Sequence, residues 1–204
     1  MLRYRSYSVD FLTKPKEFLR EADVDSSSAH LAFQSENKKD KLRFGLFHSA
    51  LEQVKFGLEQ KKYFEVICLC QAIMTERIGY FLQDMQGIED KYKVLTGLEE
   101  TVSNLLSYID LQGETPEPDL MELFTDLCRG QKGTTWVDRR DTSLHEYVLV
   151  LDDNMSYTGE LRDEFNRRTA EIGVKLAMRT IQIIDALLVA EKRNAKDINA
   201  NSVF

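Results

Sequence analysis

The sequence predicts an all-α protein, an antiparallel helical bundle with an N-terminal extension. Three observations point there. Turn punctuation is scarce, with 10 Gly and 3 Pro in 204 residues, and a β-sandwich needs far more of it. Apolar residues recur at alternating spacings of three and four, the signature of one buried helical face. One segment, YFEVICLCQAIMTERIGYFL, is apolar on almost every side between Val66 and Met74, as suits a helix at the centre of a bundle.

Each element follows from that pattern. Residues 1–39 are weakly patterned and read as an N-terminal extension, with Pro15 opening a short helix and Ser26, Ser27 and Ser28 interrupting it. A bundle over 40–192 and a mobile polar tail over 193–204 complete the division. The first bundle helix covers about 40–59, where Phe44, Phe47, Leu51, Val54 and Leu58 are spaced 3, 4, 3, 4. The second covers about 61–85, with Gly87 as a C-terminal cap. The third covers about 90–109, with Tyr92, Leu95, Leu98, Val102, Leu105 and Ile109 on one face. Pro118 opens a fourth, reaching Cys128. Gly130 and Gly133 mark a loop ending near Trp136, and a fifth helix spans about 139–151. The last runs over about 157–192, with two apolar stripes side by side. Its length predicts either a break near Gly173 or packing against a second subunit.

Charge and composition narrow the function. The formal net charge is −7, so contact with nucleic acid requires a local basic patch or one assembled between subunits. No apolar run approaches the roughly 18 residues of a membrane span, and the N-terminus lacks the apolar stretch of a secretory leader. Three cysteines without zinc-ligand spacing read as reduced thiols in a cytoplasm. Neither a metal nor a cofactor is expected, because the chain shows no Gly-rich phosphate loop and no paired-His motif.

One segment stands out: Arg140-Asp141-Thr142-Ser143-Leu144-His145-Glu146-Tyr147. It combines an always-charged guanidinium, an imidazole able to take or give a proton and a phenol. An arginine stabilises charge building on phosphoryl oxygens, and a histidine takes or gives the proton of a ribose hydroxyl. On a regular helix, residues five apart point about 140° away from each other. The two side chains therefore converge only if Arg140 sits at or before the helix start, with Asp141, Thr142 and Ser143 as capping residues. Arg43 and His48 share the same spacing but lie inside a continuous amphipathic stretch, with Ala50 where the tyrosine would be.

The pattern R-x-x-x-x-H-x-Y resembles the motif of HEPN domains, all-α nucleotide-binding and RNase modules of bacterial toxin and defence systems. It is most similar to those paired with nucleotidyltransferase antitoxins. The resemblance extends over roughly 40–190. It implies a metal-independent endoribonuclease acting on RNA, with Arg140 and His145 as the catalytic pair in a homodimer cleft. Tyr147 falls where a partner antitoxin modifies the toxin. The family's usual Asn after the arginine is here Asp141, which orients Arg140 but adds negative charge beside a phosphate. Glu76, late on the central helix, is a supporting residue within reach of Arg140, and Arg139 and Lys132 are phosphate-binding candidates.

Plainer readings stand beside these. His145 is equally a helix histidine bonded to Glu or backbone, Tyr147 a core residue, and Trp136 a packing anchor in place of a base-stacking platform. The basic clusters at 38–43, 129–140 and 162–168 are interleaved with acids and read as solvated faces. The alternative to the nuclease is a non-catalytic helical module, HEPN-like or unrelated, that binds a nucleotide or a partner protein.

Overall fold

The computed structural model describes residues 38–86, 97–148 and 159–201. Every regular element among them is helical: α1 (Lys38–Glu59), α2 (Tyr63–Gln86), α3 (Leu98–Leu111), α4 (Pro118–Phe124), α5 (Trp136–Val148) and α6 (Gly159–Asn201). A π-helical turn, Thr125–Arg129, extends α4. Most of the extension, Gly87, Tyr92 and Leu95 lie outside the described residues. Contact density divides the chain into Met1–Leu51 and Glu52–Phe204. Of the first unit only the helical stretch 38–51 is described; all that follows concerns the second.

Two turns solve the same problem with different residues. After α1, the Lys62 N–H donates to Gly57 O at 2.8 Å and the Lys61 N–H to Leu58 O at 3.2 Å. After α3, the Glu114 N–H donates to Ile109 O at 3.2 Å and the Gly113 N–H to Asp110 O at 2.9 Å. Both are Schellman closures, which satisfy the last carbonyls of a helix and need one left-handed residue. Gly113 takes that conformation at φ 71° without strain, whereas Lys61 takes it at φ 57° against its own Cβ. Gly57 also lets α2 close in, since a Cβ there would lie 2.7 Å from Val66 Cγ2.

α2 is the central helix, and its main partner is α6. Val66, Ile67, Cys70, Met74, Ile78 and Leu82 are at most 1% exposed. Burial is not all-round, however: Glu65, Cys68, Ala72 and Glu76 form an exposed stripe. α6 answers with Ala170, Val174, Ala177, Ile184 and Leu188, all buried, which is the first of its two predicted stripes. Arg77 of α2 and Asp185 of α6 form a mostly buried ion pair across this interface. Burial raises the Asp185 carboxyl above its ordinary range, and the Arg77 charge offsets part of that. On the opposite side, Arg179 of α6 donates to Glu122 of α4 at 2.6 Å and to Asp126 of the π turn at 3.1 Å.

α6 does not break at Gly173. It runs unbroken for 43 residues to Asn201, about 65 Å at 1.5 Å per residue. The helix therefore takes in most of the stretch expected to be a mobile tail; residues 174–204 contain neither Gly nor Pro to stop it. Gly173 has a different task. A Cβ there would lie 2.8 Å from Trp136 Nε1 and 3.1 Å from two ring carbons. The glycine is the seat on which the indole of α5 rests.

Two sign-opposed glycine substitutions test this packing. Gly79→Ala, where nothing lies within 4 Å of the new methyl, is expected to stabilise by about 0.5–1 kcal/mol. Gly173→Ala is expected to destabilise by about 1–3 kcal/mol through overpacking. Urea unfolding measures both, and equal effects of one sign would remove the proposed seat. Lys61→Gly relieves the left-handed strain and is expected to add about 1 kcal/mol, raising Tm by roughly 2–4 °C; a lowered Tm would contradict the Schellman assignment.

Candidate functional site

α5 begins earlier than the capping residues at 141–143 suggest. Gly133 turns the chain at φ 86°, with the Thr134 N–H donating to Gln131 O at 3.0 Å. Thr135 then caps the helix. Asp138 donates its N–H to Thr135 Oγ1 at 3.2 Å, and the Asp138 carboxylate accepts from Thr135 N–H at 3.2 Å, Thr135 Oγ1 at 2.5 Å and Gly133 N–H at 2.9 Å. This reciprocal pair is a capping box, and its signal, Thr-Trp-Val-Asp, stands in the sequence at 135–138. The hydrogen bond from Thr135 and those from the two N–H groups hold the Asp138 carboxyl below its usual range. The cap is thus complete above the ordinary Asp pKa of about 3.9 and is lost as pH falls below it.

With α5 starting at Trp136, Arg140 is the fifth helical residue and not a residue at its edge. Its guanidinium is enclosed. Nε and Nη2 donate to Asp141 Oδ1 at 2.9 and 2.6 Å, Nη1 donates to Gln71 Oε1 of α2 at 2.6 Å, and Nη2 lies 3.8 Å from Glu99 Oε1 of α3. The side chain is 14% exposed. Asp141 therefore does hold Arg140, together with two residues that the motif does not contain, Gln71 and Glu99. Glu76 is not among these partners. It lies five residues beyond Gln71 on the same helix, about 140° around it, and is exposed.

His145 is exposed, in the last turn of α5. Regular helix between 140 and 145 sets it about 140° around the axis from Arg140, so within one chain the two do not converge. Tyr147 is in the same helix, and its side chain lies outside the described residues. Arg139 is half-buried and Lys132 is exposed in the loop before α5, where its charge helps hold the Asp138 carboxyl low. Trp136 is a packing anchor: it is 1% exposed, and its Nε1–H donates to Thr169 O of α6 at 3.3 Å.

Two arginines of α6 are neutralised by acids on the same helix. Arg167 is held by Glu164 and Glu171, and Arg168 by Glu164. These bonds push the Glu164 carboxyl down to about 2 and the Arg167 guanidinium further up. The thiols are free and protonated at neutral pH. Burial raises Cys70, the protein atoms packed around the base of the exposed Cys68 raise its thiol with Arg140 offsetting part of the rise, and burial with the Glu99 charge pushes Cys128 up to about 11. No group of three or more His, Cys, Asp or Glu placed to hold a metal ion occurs among the described residues.

No family model matches the chain, and no curated protein or solved structure matches it. What the geometry defines is a class, an all-α protein with an arginine-centred junction of three helices.

That junction makes a stability prediction. Arg140→Ala removes the bonds to Asp141, Glu99 and Gln71 and is expected to cost about 1 kcal/mol, since both carboxylates are half-exposed and water replaces the lost partner. Arg140→Lys is expected to recover little of it, since one ammonium cannot reproduce the fork. Urea unfolding of both variants, compared with His145→Ala, supplies the check; unchanged stability in Arg140→Ala would show that the junction contributes nothing.

Proposed function

We propose that this chain is a non-catalytic helical module that works by contact with a partner protein, and that Arg140 is a structural clamp within it. The observation that carries the reading is the enclosure of Arg140. A guanidinium that must stabilise a phosphoryl group needs donors free to face it. Here Nε, Nη1 and Nη2 are already directed at two carboxylates and an amide. A protein partner is favoured over nucleic acid by the net charge of −7 and by the pairing of Arg140, Arg167, Arg168 and Arg179 with acids. Among the described residues no helix is long and apolar enough to cross a membrane. We place the protein in the cytoplasm on its cysteine usage.

A second reading keeps the HEPN-type ribonuclease, a metal-independent toxin or defence effector regulated by an antitoxin. The exposure of His145 favours it. Because His145 and Arg140 diverge within one chain, this reading requires a homodimer in which one protomer's imidazole faces the other's guanidinium, and a movement that releases Arg140 from Asp141 and Glu99.

Incubation with total RNA in the presence of chelator separates the two. The module reading expects intact RNA even at high protein concentration. Cleavage that His145→Ala abolishes, with helical content unchanged, would overturn that reading in favour of the nuclease. Mixed dimers of Arg140→Ala and His145→Ala chains would then regain part of the activity, because one of the two Arg140–His145 pairs lining the cleft keeps both wild-type groups.

A further inference from the structure

Three buried side-chain atoms have no hydrogen-bond partner among the described residues: Ser143 Oγ, Asn166 Oδ1 and Thr169 Oγ1. Their residues are 1%, 6% and 0% exposed. Such atoms are rare in native interiors, and each carries the full desolvation cost of a polar group. A serine or threonine inside a helix ordinarily bonds the carbonyl four residues back. Thr142 and Thr180 do so, to Asp138 O and Leu176 O; Ser143 and Thr169 do not.

The three groups share one seam. Trp136 meets Gly173 and Thr169, which fixes the register of α5 on α6. Ten residues, 149–158, join the two helices, too few to lead back along α6 unless the pair runs antiparallel. Two turns beyond Trp136 is Ser143, and two turns before Gly173 is Asn166. Seven residues return nearly to the same face of each helix, so Ser143 and Asn166 stand level across the seam. Thr169 lies one turn from Asn166 on that same face.

We propose that Ser143, Asn166 and Thr169 hold a buried water molecule between α5 and α6. The chemistry of the set fits this ligand. Asn166 Oδ1 only accepts, while each hydroxyl both donates and accepts. A water that donates to Asn166 Oδ1 and to one hydroxyl, and accepts from the other, satisfies all three, and about three hydrogen bonds is what buried waters make. The bridge pins the roll of α5 about its own axis. Ser143, Asn166 and Thr169 are accordingly positioning residues for the faces that carry Arg140 and His145. This holds whether or not α5 performs chemistry.

The test combines a site readout with a sign. A high-resolution crystal structure of the full chain is expected to show an ordered solvent peak within hydrogen-bond distance of all three atoms. Thr169→Val, which keeps the shape and removes the hydroxyl, is expected to raise the unfolding equilibrium constant about tenfold. Thr169→Ser is expected to keep the solvent peak. A dry seam would overturn the proposal: no such peak, and a Thr169→Val chain as stable as the wild type or more so, because a stranded hydroxyl has been removed. If Thr169→Val fails to fold, the solvent peaks in the wild type and in Thr169→Ser decide alone.

Discussion

The contact of the Trp136 indole with the bare backbone at Gly173 governs what this protein can present to the outside. It is the first residue of α5 set against the middle of α6, with Nε1–H on the Thr169 carbonyl. Once that contact is made, helical geometry leaves little choice for the rest of α5. Arg140 turns toward α2 and α3, where Gln71 and Glu99 receive it. Ser143 turns into the interior, and His145 turns to solvent. The three directions follow from one anchor and the 100° step between residues. A side chain of this size also supplies much of the apolar area that keeps so short a helix in place.

Much of the fold is legible in the sequence because burial repeats. The stripes at 98–109 and 170–188 become buried faces, with Ile181 only half-buried, and Pro118 opens α4 because its fixed φ and missing N–H suit a first helical turn. Other features are hidden for identifiable reasons. Gly173 reads as a weak point because a sequence does not distinguish a glycine that frees the backbone from one that makes room for a neighbour. Cys68 and Ala72 read as core because they are apolar, yet small apolar residues cost little when exposed.

The motif helix shows the same ambiguity at closer range. Asp141, Thr142 and Ser143 have the chemistry of caps, but the helix is already capped by Thr135 and Asp138. That shift of a few residues moves Arg140 from a flexible edge into regular helix. It separates the guanidinium from the imidazole and brings it to partners 41 and 69 positions away in sequence, Glu99 and Gln71. A short motif carries the identity of its residues but not the orientation of its helix. On α2 the same angular step sets Glu76 about 140° from Gln71, the residue that receives Arg140.

The pairing of α2 with α6 has a bearing on how the chain comes into being. These two helices make the main contact of the fold, yet Arg77 and Asp185 are 108 positions apart. Contacts so distant along the chain are slow to form, because a long loop must close before they give anything back. During synthesis at about 5–20 residues per second, the apolar face of α2 has no α6 to cover it for several seconds. A nascent chain in that interval has Val66, Ile67, Met74 and Ile78 without their α6 cover, and apolar surface left open in this way is where a folding chain is prone to aggregate.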